Sequence, residues 1–259
     1  MRYGKELREK LKNGTAIGGH VFLGDPAISE ALAIYGYDFI WIDAEHAAFD
    51  RPLILNHVTA ANAGGAAAVV RVPAWTMEAI KPVLEMGIDG IIIPQTKGYE
   101  DVKAALAECL YPPRGVRGFG PRRSIHYNNL DMSEYLKNAE DDIVRFIQVE
   151  HHKAVEEIDR ILTLDGLDAL VLGPNDLASS IGLIGESVHP NVLELSKHAI
   201  AQAKKAGIPI GVSIGPNQKA IDIWRGLGVD YFSCGDDISF LHQGAKATIK
   251  AIQKGRCRE

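Results

Sequence analysis

One local pattern recurs four times along the chain: a helical segment, then Gly-x-Asp, then a short apolar run. It stands at Gly36-Tyr37-Asp38, Gly87-Ile88-Asp89, Gly166-Leu167-Asp168 and Gly228-Val229-Asp230. Glycine accepts the left-handed backbone that ends a helix, and the chain then turns into a buried strand. The runs that follow are apolar on both faces, as parallel strands covered by helices must be. Together with the other apolar runs, the pattern predicts eight strands, near residues 16–22, 38–43, 67–71, 89–94, 143–149, 167–172, 208–214 and 230–235. Amphipathic segments separate them, for example Pro26–Tyr35, Thr76–Met86, Lys153–Leu162 and Asn191–Ala206.

Eight strands alternating with helices predict an α/β fold, a (β/α)8 TIM barrel. An open doubly wound sheet would carry a phosphate-binding turn after its first strand, and Gly24-Asp25-Pro26 matches that glycine pattern poorly. A length of 259 residues suits one barrel domain spanning residues 1–259. The long connection around 104–142 is expected as a loop insertion; it holds Pro112-Pro113, Arg114, Arg117, Arg122 and Arg123. A net charge of -5 argues against general nucleic-acid or anionic-membrane binding. No run approaches the ~18 apolar residues of a membrane span. The segment from Met1 to Asn13 is charged and helix-like, without a signal-peptide core. Cys109, Cys234 and Cys257 are far apart and form no CxxC, so a reducing cytoplasm is the expected setting.

Active sites of such barrels lie at the C-terminal ends of the strands. Read in order, those ends deliver His20, Glu45-His46, Arg71, Gln95, Glu150, Asp176, Ser213 and Cys234-Gly235. Glu150 and Asp176 close two successive strands, so their carboxylates converge on one rim. A hard divalent cation takes oxygen ligands placed like this, with substrate and water filling the other positions. Capping of the following helices is the competing explanation for the pair. Arg71 supplies fixed positive charge for a carboxylate or enolate oxygen, and His46 can move protons near neutral pH. The backbone amides of Gly173, Asn175 and Asp176, opening a short helix, are expected to hold a substrate carboxylate. No lysine stands at a strand end; Lys97 and Lys153 look like loop or helix residues, which disfavours a Schiff base. His151 and His152 belong to a helix start rather than to the ligand set. The arginines of the insertion suit an anionic substrate tail or a subunit contact equally.

The segments Trp41-Ile42-Asp43-Ala44-Glu45-His46, Arg71-Val72-Pro73, Ile93-Pro94-Gln95, Tyr111-Pro112-Pro113-x-Gly115-Val116-Arg117-Gly118, Gln148-Val149-Glu150 and Gly173-Pro174-Asn175-Asp176-Leu177 follow one another in that order. In order and content they resemble the HpcH/HpaI aldolases. The resemblance implies a barrel of the phosphoenolpyruvate/pyruvate-binding type and a class II aldolase that cleaves 4-hydroxy-2-oxo acids to pyruvate and an aldehyde. It implies Mg2+, Mn2+ or Co2+ as cofactor, and a hexamer (a trimer of dimers) with an exchanged C-terminal helix. Carried over by position, Glu150 and Asp176 would be metal ligands, Arg71 the enolate stabiliser and His46 the acid/base. Glu85 falls where relatives often carry an aspartate that pairs with this histidine. Gln148, Gly173, Asn175, Asp176 and Ser213 complete the expected substrate contacts. Two departures stand out: His20 lies where members can have tryptophan, and Ser213 where some have an apolar residue. Both make the acceptor side more polar, which points to a hydroxylated or acidic aldehyde. A CoA-thioester lyase of the malyl-CoA or citrate lyase beta type is the enzymatic alternative, and a non-catalytic oxo-acid-binding barrel the other.

Overall fold

The computed structural model describes residues 3–256; Cys257 lies outside them. Eight strands form a closed parallel barrel in sequence order. They are β1 (Ile17–Val21), β2 (Phe39–Asp43), β3 (Ala67–Arg71), β4 (Gly90–Ile93), β5 (Val144–Val149), β6 (Ala169–Leu172), β7 (Ile210–Ile214) and β8 (Tyr231–Asp236). The first half of the chain contributes α1 (Gly4–Lys12), α2 (Ala27–Ile34), α3 (Arg51–Ala63), α4 (Met77–Leu84), α5 (Tyr99–Cys109) and α6 (Met132–Asn138). The second half contributes α7 (His152–Glu156), α8 (Ile158–Ile161), α9 (Pro174–Ser180), α10 (Pro190–Ala206), α11 (Gln218–Leu227) and α12 (Asp237–Arg256). All eight predicted strands are present. The predicted helix over 153–162 is instead broken at Glu157, whose Oε2 turns away to accept the Tyr99 N–H that opens α5, at 2.7 Å. The insertion also begins later than expected, because residues 104–109 continue α5.

Alternation within each strand explains why both faces are apolar. On β2, Ile40 and Ile42 face the helices, whereas Phe39 and Trp41 fill the barrel interior. The large interior rings need small neighbours. A Cβ on Gly18 would stand 2.1 Å from the Phe39 ring, and one on Gly211 2.4 Å from Tyr231. Below them, Leu7 and Leu11 of α1 plug the N-terminal mouth.

The four aspartates of the repeated pattern share one task at that end. Each lies just before an even-numbered strand and pairs reciprocally with one residue of the odd strand before it. Asp38, Asp89, Asp168 and Asp230 donate their N–H to the carbonyls of Ile17, Ala68, Arg145 and Ile210. Their carboxylates accept the N–H of those same four residues at 2.8, 2.9, 2.9 and 3.0 Å. The second carboxylate oxygens reach the plug: Asp38 accepts from Lys10 at 2.9 Å, Asp89 from the Tyr3 amide at 2.8 Å, and Asp168 pairs with Arg8. The sequence pattern is therefore both a helix stop and a strand staple.

The arginine-rich insertion also lies at this end, between the end of α5 and the start of β5. Arg114 pairs with Asp165 and Glu140, Arg123 donates to the carbonyls of Met86 and Gly87, and buried Arg117 stacks on Tyr111. Within one chain, these groups are spent on the floor of the barrel and not on the rim.

Asp89 is buried and accepts from Tyr3, Ala68 and Asn62. Removing a buried acceptor leaves its donors unsatisfied, at ~1–3 kcal/mol for each group. Asp89→Ala is expected to lose about 3 kcal/mol in urea unfolding; a loss under about 1 kcal/mol would mean that water replaces the carboxylate.

Candidate functional site

The rim is organised by Asp43, the last residue of β2 and fully buried. Its Oδ1 accepts the amides of Glu45 at 3.0 Å and His46 at 2.8 Å, which folds the following turn. Its Oδ2 pairs with Arg71 at the neighbouring end of β3. Glu45 closes on the same guanidinium, with Oε2 2.9 Å from Nη1. Arg71 is buried and its plane lies over Trp41, 5.2 Å from the ring centroid. The Arg71 Nε–H has no hydrogen-bond partner among the described residues. The guanidinium is thus a rigid, buried positive charge held by two carboxylates. His46 stands at the mouth, more than half exposed, with Nε2 3.8 Å from Glu45.

Glu150 follows β5 and is buried. Gln95, in the left-handed region at φ 60°, aims its N–H at Glu150 Oε1 over 2.6 Å. Gln148 donates to Oε2 at 2.5 Å and accepts from Arg71 at 3.4 Å, so one amide joins the arginine to the carboxylate. Burial pushes the Glu150 carboxyl up to about 8; the Gln95 amide opposes this, while the charges of Asp176 and Glu45 add to it. Burial also raises Glu45, against the pull of Arg71. Asp176 lies half-buried in the first turn of α9, with Asn175 exposed beside it. Asp43, Glu45 and Glu150 thus gather around one arginine, with Asp176 adding its charge to Glu150. A divalent cation fits that imbalance. Among the described residues, no group of three or more His, Cys, Asp or Glu side chains is arranged around a metal position. Glu150 and Asp176 would supply a pair of carboxylates, the minimum that Mg2+ takes when substrate and water supply the remaining oxygens.

Two expected contributions are placed elsewhere. The Gly173 N–H is already donated to the Val149 carbonyl at 3.1 Å, because the β5–β6 ladder continues one residue beyond β6. Pro174 has no N–H, which leaves the amides of Asn175 and Asp176 at the start of α9. Gly173 serves by its small size instead: a Cβ there would stand 2.8 Å from both Gln148 Nε2 and Glu150 Oε2. Glu85 ends α4 on the floor side, where it accepts from Arg117 at 3.2 Å. The structure does not bring it to His46 within the chain. Asp43, which holds the turn of His46, was visible in the sequence only as part of a motif.

On the far side of Trp41, His20 of β1 packs edge-on against the indole at 4.8 Å. A register shift between β1 and β8, with Gly235 at φ 86°, brings the Gly235 carbonyl to His20 Nδ1 at 3.0 Å. Ser213 and Ser233, paired in register on β7 and β8, place their hydroxyls 3.2 and 3.1 Å from His20 Nε2. Burial is the main cause that pushes the imidazole down to about 4. A histidine with a lowered pKa in the folded state stabilises the protein fully above about 6.5 and loses that contribution as pH falls toward 4. Between pH 7.5 and 5 this group is expected to withdraw roughly 2 kcal/mol. Buried His57, also lowered, acts in the same direction. The loss assigned to His20 is therefore the difference between the wild type and His20→Gln in unfolding experiments at the two pH values, and identical slopes would contradict it.

The likeness to known proteins covers nearly the whole barrel. Over 225 residues the chain is 31% identical to hydroxypyruvate/pyruvate aldolase of Roseovarius nubinhibens, covering 87% of each protein. It is 29% identical over 240 residues to 5-keto-4-deoxy-D-glucarate aldolase of Salmonella arizonae, covering 92% of each. A crystal structure of an HpcH/HpaI aldolase/citrate lyase family protein from Burkholderia cenocepacia superposes with a TM-score of 0.88 at 31% identity, over 97% of this chain and 99% of that one. Residues 17–230 match the HpcH/HpaI aldolase/citrate lyase family, from the first strand to the threshold of the last. The chain belongs to that family.

Proposed function

We propose that this protein is a metal-dependent pyruvate aldolase that cleaves a 4-hydroxy-2-oxo acid to pyruvate and an aldehyde. The observation that carries the proposal is the buried Glu150, held by Gln95 and Gln148 beside Asp176 in a rim with one arginine for four acids. Glu150 and Asp176 would hold Mg2+, Mn2+ or Co2+. Such an ion, when bound, supplies Lewis-acid polarisation of the 2-oxo group.

In cleavage the 4-hydroxyl loses its proton, the C3–C4 bond breaks, and its electron pair moves onto the C2 oxygen. Arg71 stabilises that oxygen by its positive charge, because Asp43 and Glu45 fix its guanidinium. His46 takes the hydroxyl proton, and C3 of the enolate then accepts a proton to complete pyruvate. The amides of Asn175 and Asp176 face the substrate carboxylate. Gln148 acts on the substrate through Arg71 and Glu150, which it joins. Ser213 stands on the aldehyde side. Glu85 has no role in this scheme within its own chain.

A second copy of the chain completes the assembly. From Leu241 to Lys254 every side chain of α12 is exposed, including Leu241, Ile249 and Ile252 along one stripe. A helix that leaves its own barrel with an apolar stripe supports exchange with a neighbour in a hexamer built as a trimer of dimers. Cys109 and Cys234 are unpaired, which suits a reducing cytoplasm, and no helix among the described residues is long and apolar enough to cross a membrane.

Pyruvate release from a panel of 4-hydroxy-2-oxo acids is expected with Mg2+, Mn2+ or Co2+ and not with EDTA. Glu150→Gln is expected to reduce it roughly a hundredfold or more. Release that survives both EDTA and this substitution would point to a metal-free mechanism and sink the proposal. Removal of residues 241–259 is expected to lower the mass measured by light scattering, and an unchanged mass would remove α12 from the assembly.

A further inference from the structure

Three polar side chains on β1, β7 and β8 form a cluster whose hydrogen atoms are not all accounted for. His20 Nδ1 lies 3.0 Å from the Gly235 carbonyl, which can only accept, so Nδ1 carries the ring proton. Nε2 is then a bare acceptor with one lone pair. Two hydroxyls approach it, Ser233 at 3.1 Å and Ser213 at 3.2 Å. One lone pair takes one well-formed hydrogen bond, so one of the two hydroxyl protons must point elsewhere.

Burial decides which one. Ser233 is 0% exposed, and leaving a donor unpaired at such a depth is costly. Ser213 is half-buried near the end of β7, where water can take its proton at little cost. Ser233 therefore donates to His20, and the Ser213 proton is left for the mouth of the barrel. His20 is one indole away from Arg71, since Trp41 touches both. The free donor thus lies beside the reaction centre without being part of it. The cluster carries no cation, because burial keeps His20 neutral down to about pH 4.

We infer that Ser233 and His20 act as positioning residues that keep the Ser213 hydroxyl free to donate to a neutral hydroxyl on the aldehyde partner. The inference rests on the aldolase function proposed above and names its substrate class: short hydroxyaldehydes rather than apolar or carboxylate-bearing ones. A site built to hydrogen-bond a hydroxyl rejects the analogue that lacks it, because its own donor is then left unpaired.

The test uses the intact enzyme with pyruvate, Mg2+ and three aldehydes: glycolaldehyde, its methyl counterpart propanal, and succinic semialdehyde. The wild type is expected to favour glycolaldehyde over propanal by at least about tenfold in kcat/KM, and to favour it over the semialdehyde. Ser213→Ala is expected to collapse the first ratio, and Ser213→Thr to restore most of it. The discriminating variant is Ser233→Ala. With its competitor gone, the Ser213 proton moves to His20, and the ratio is expected to fall about as far as in Ser213→Ala. Ser233→Cys fills the same volume with a weaker donor and should give an intermediate ratio, which guards against a variant that fails to fold. A wild type without the preference, a preference for the semialdehyde, or a Ser233→Ala ratio equal to the wild type would each overturn the inference. Exchange of the pyruvate methyl protons in D2O, followed by NMR without any aldehyde, separates the two levels. Metal-dependent exchange without the aldehyde preference refutes the inference alone, whereas absent exchange refutes the aldolase function beneath it.

Discussion

The reciprocal pairing of four aspartates with the preceding strands is the constraint on which the site depends. In a parallel barrel the side chains alternate inward and outward, so a slip of one residue would turn every rim group toward the helices. Asp38, Asp89, Asp168 and Asp230 each bind one partner residue through both backbone and carboxylate. A slipped register would break both bonds at once, and at buried Asp89 it would cost a carboxylate one of its few donors. The staples act at the opposite end from the chemistry, which leaves the C-terminal strand ends free to vary. Two of them also bind α1 and a third binds the Tyr3 amide just before it, so closure of the floor and registration of the strands reinforce each other.

Registered strands then force unfavourable charge together at the rim. Asp43 and Glu45 share Arg71, and Glu150 must make do with two amide donors while facing Asp176 and Glu45. Burial without a full set of partners destabilises a carboxylate. Its raised pKa expresses that unmet demand for positive charge. A structural carboxylate would be placed like Asp43, with two amide donors and an arginine partner. The contrast between two buried acids in one rim supports the proposal that Glu150, unlike Asp43, is held for a ligand.

The fold was legible because the Gly-x-Asp joint and two-sided apolar runs are local signals that tertiary contacts reinforce. The second function of each aspartate was not legible, since the partner amide lies about twenty residues away. Strand ends placed Arg71 and Glu150 on the rim, because a strand carries its end to a fixed place, whereas Asp176 belongs to the first turn of α9 and not to the end of β6. Helix ends were less informative. Glu85 closes α4 on the floor, where Arg117 from the insertion claims it, and no pattern in α4 announces that distant arginine. The Gly173 amide failed for a comparable reason: whether the ladder reaches one residue further depends on the neighbouring Val149 carbonyl. The break at Glu157 follows from a side chain that caps a different helix.

The same division runs through the rim itself. Arg71, Gln148 and Glu150 stand on or directly after strands, and each is fixed by at least two partners. His46 is held through its backbone amide, and its mostly exposed ring has Glu45 nearby, at 3.8 Å. Charge stabilisation requires fixed groups, because dipoles that must reorganise lose their advantage over water. Proton transfer tolerates, and benefits from, a ring that can reach two positions in turn: the hydroxyl oxygen during bond cleavage and the enolate carbon afterwards. The rigid groups therefore come from the strands that the floor registers. The proposed acid/base, His46, comes from the turn that one buried aspartate holds through its backbone amides.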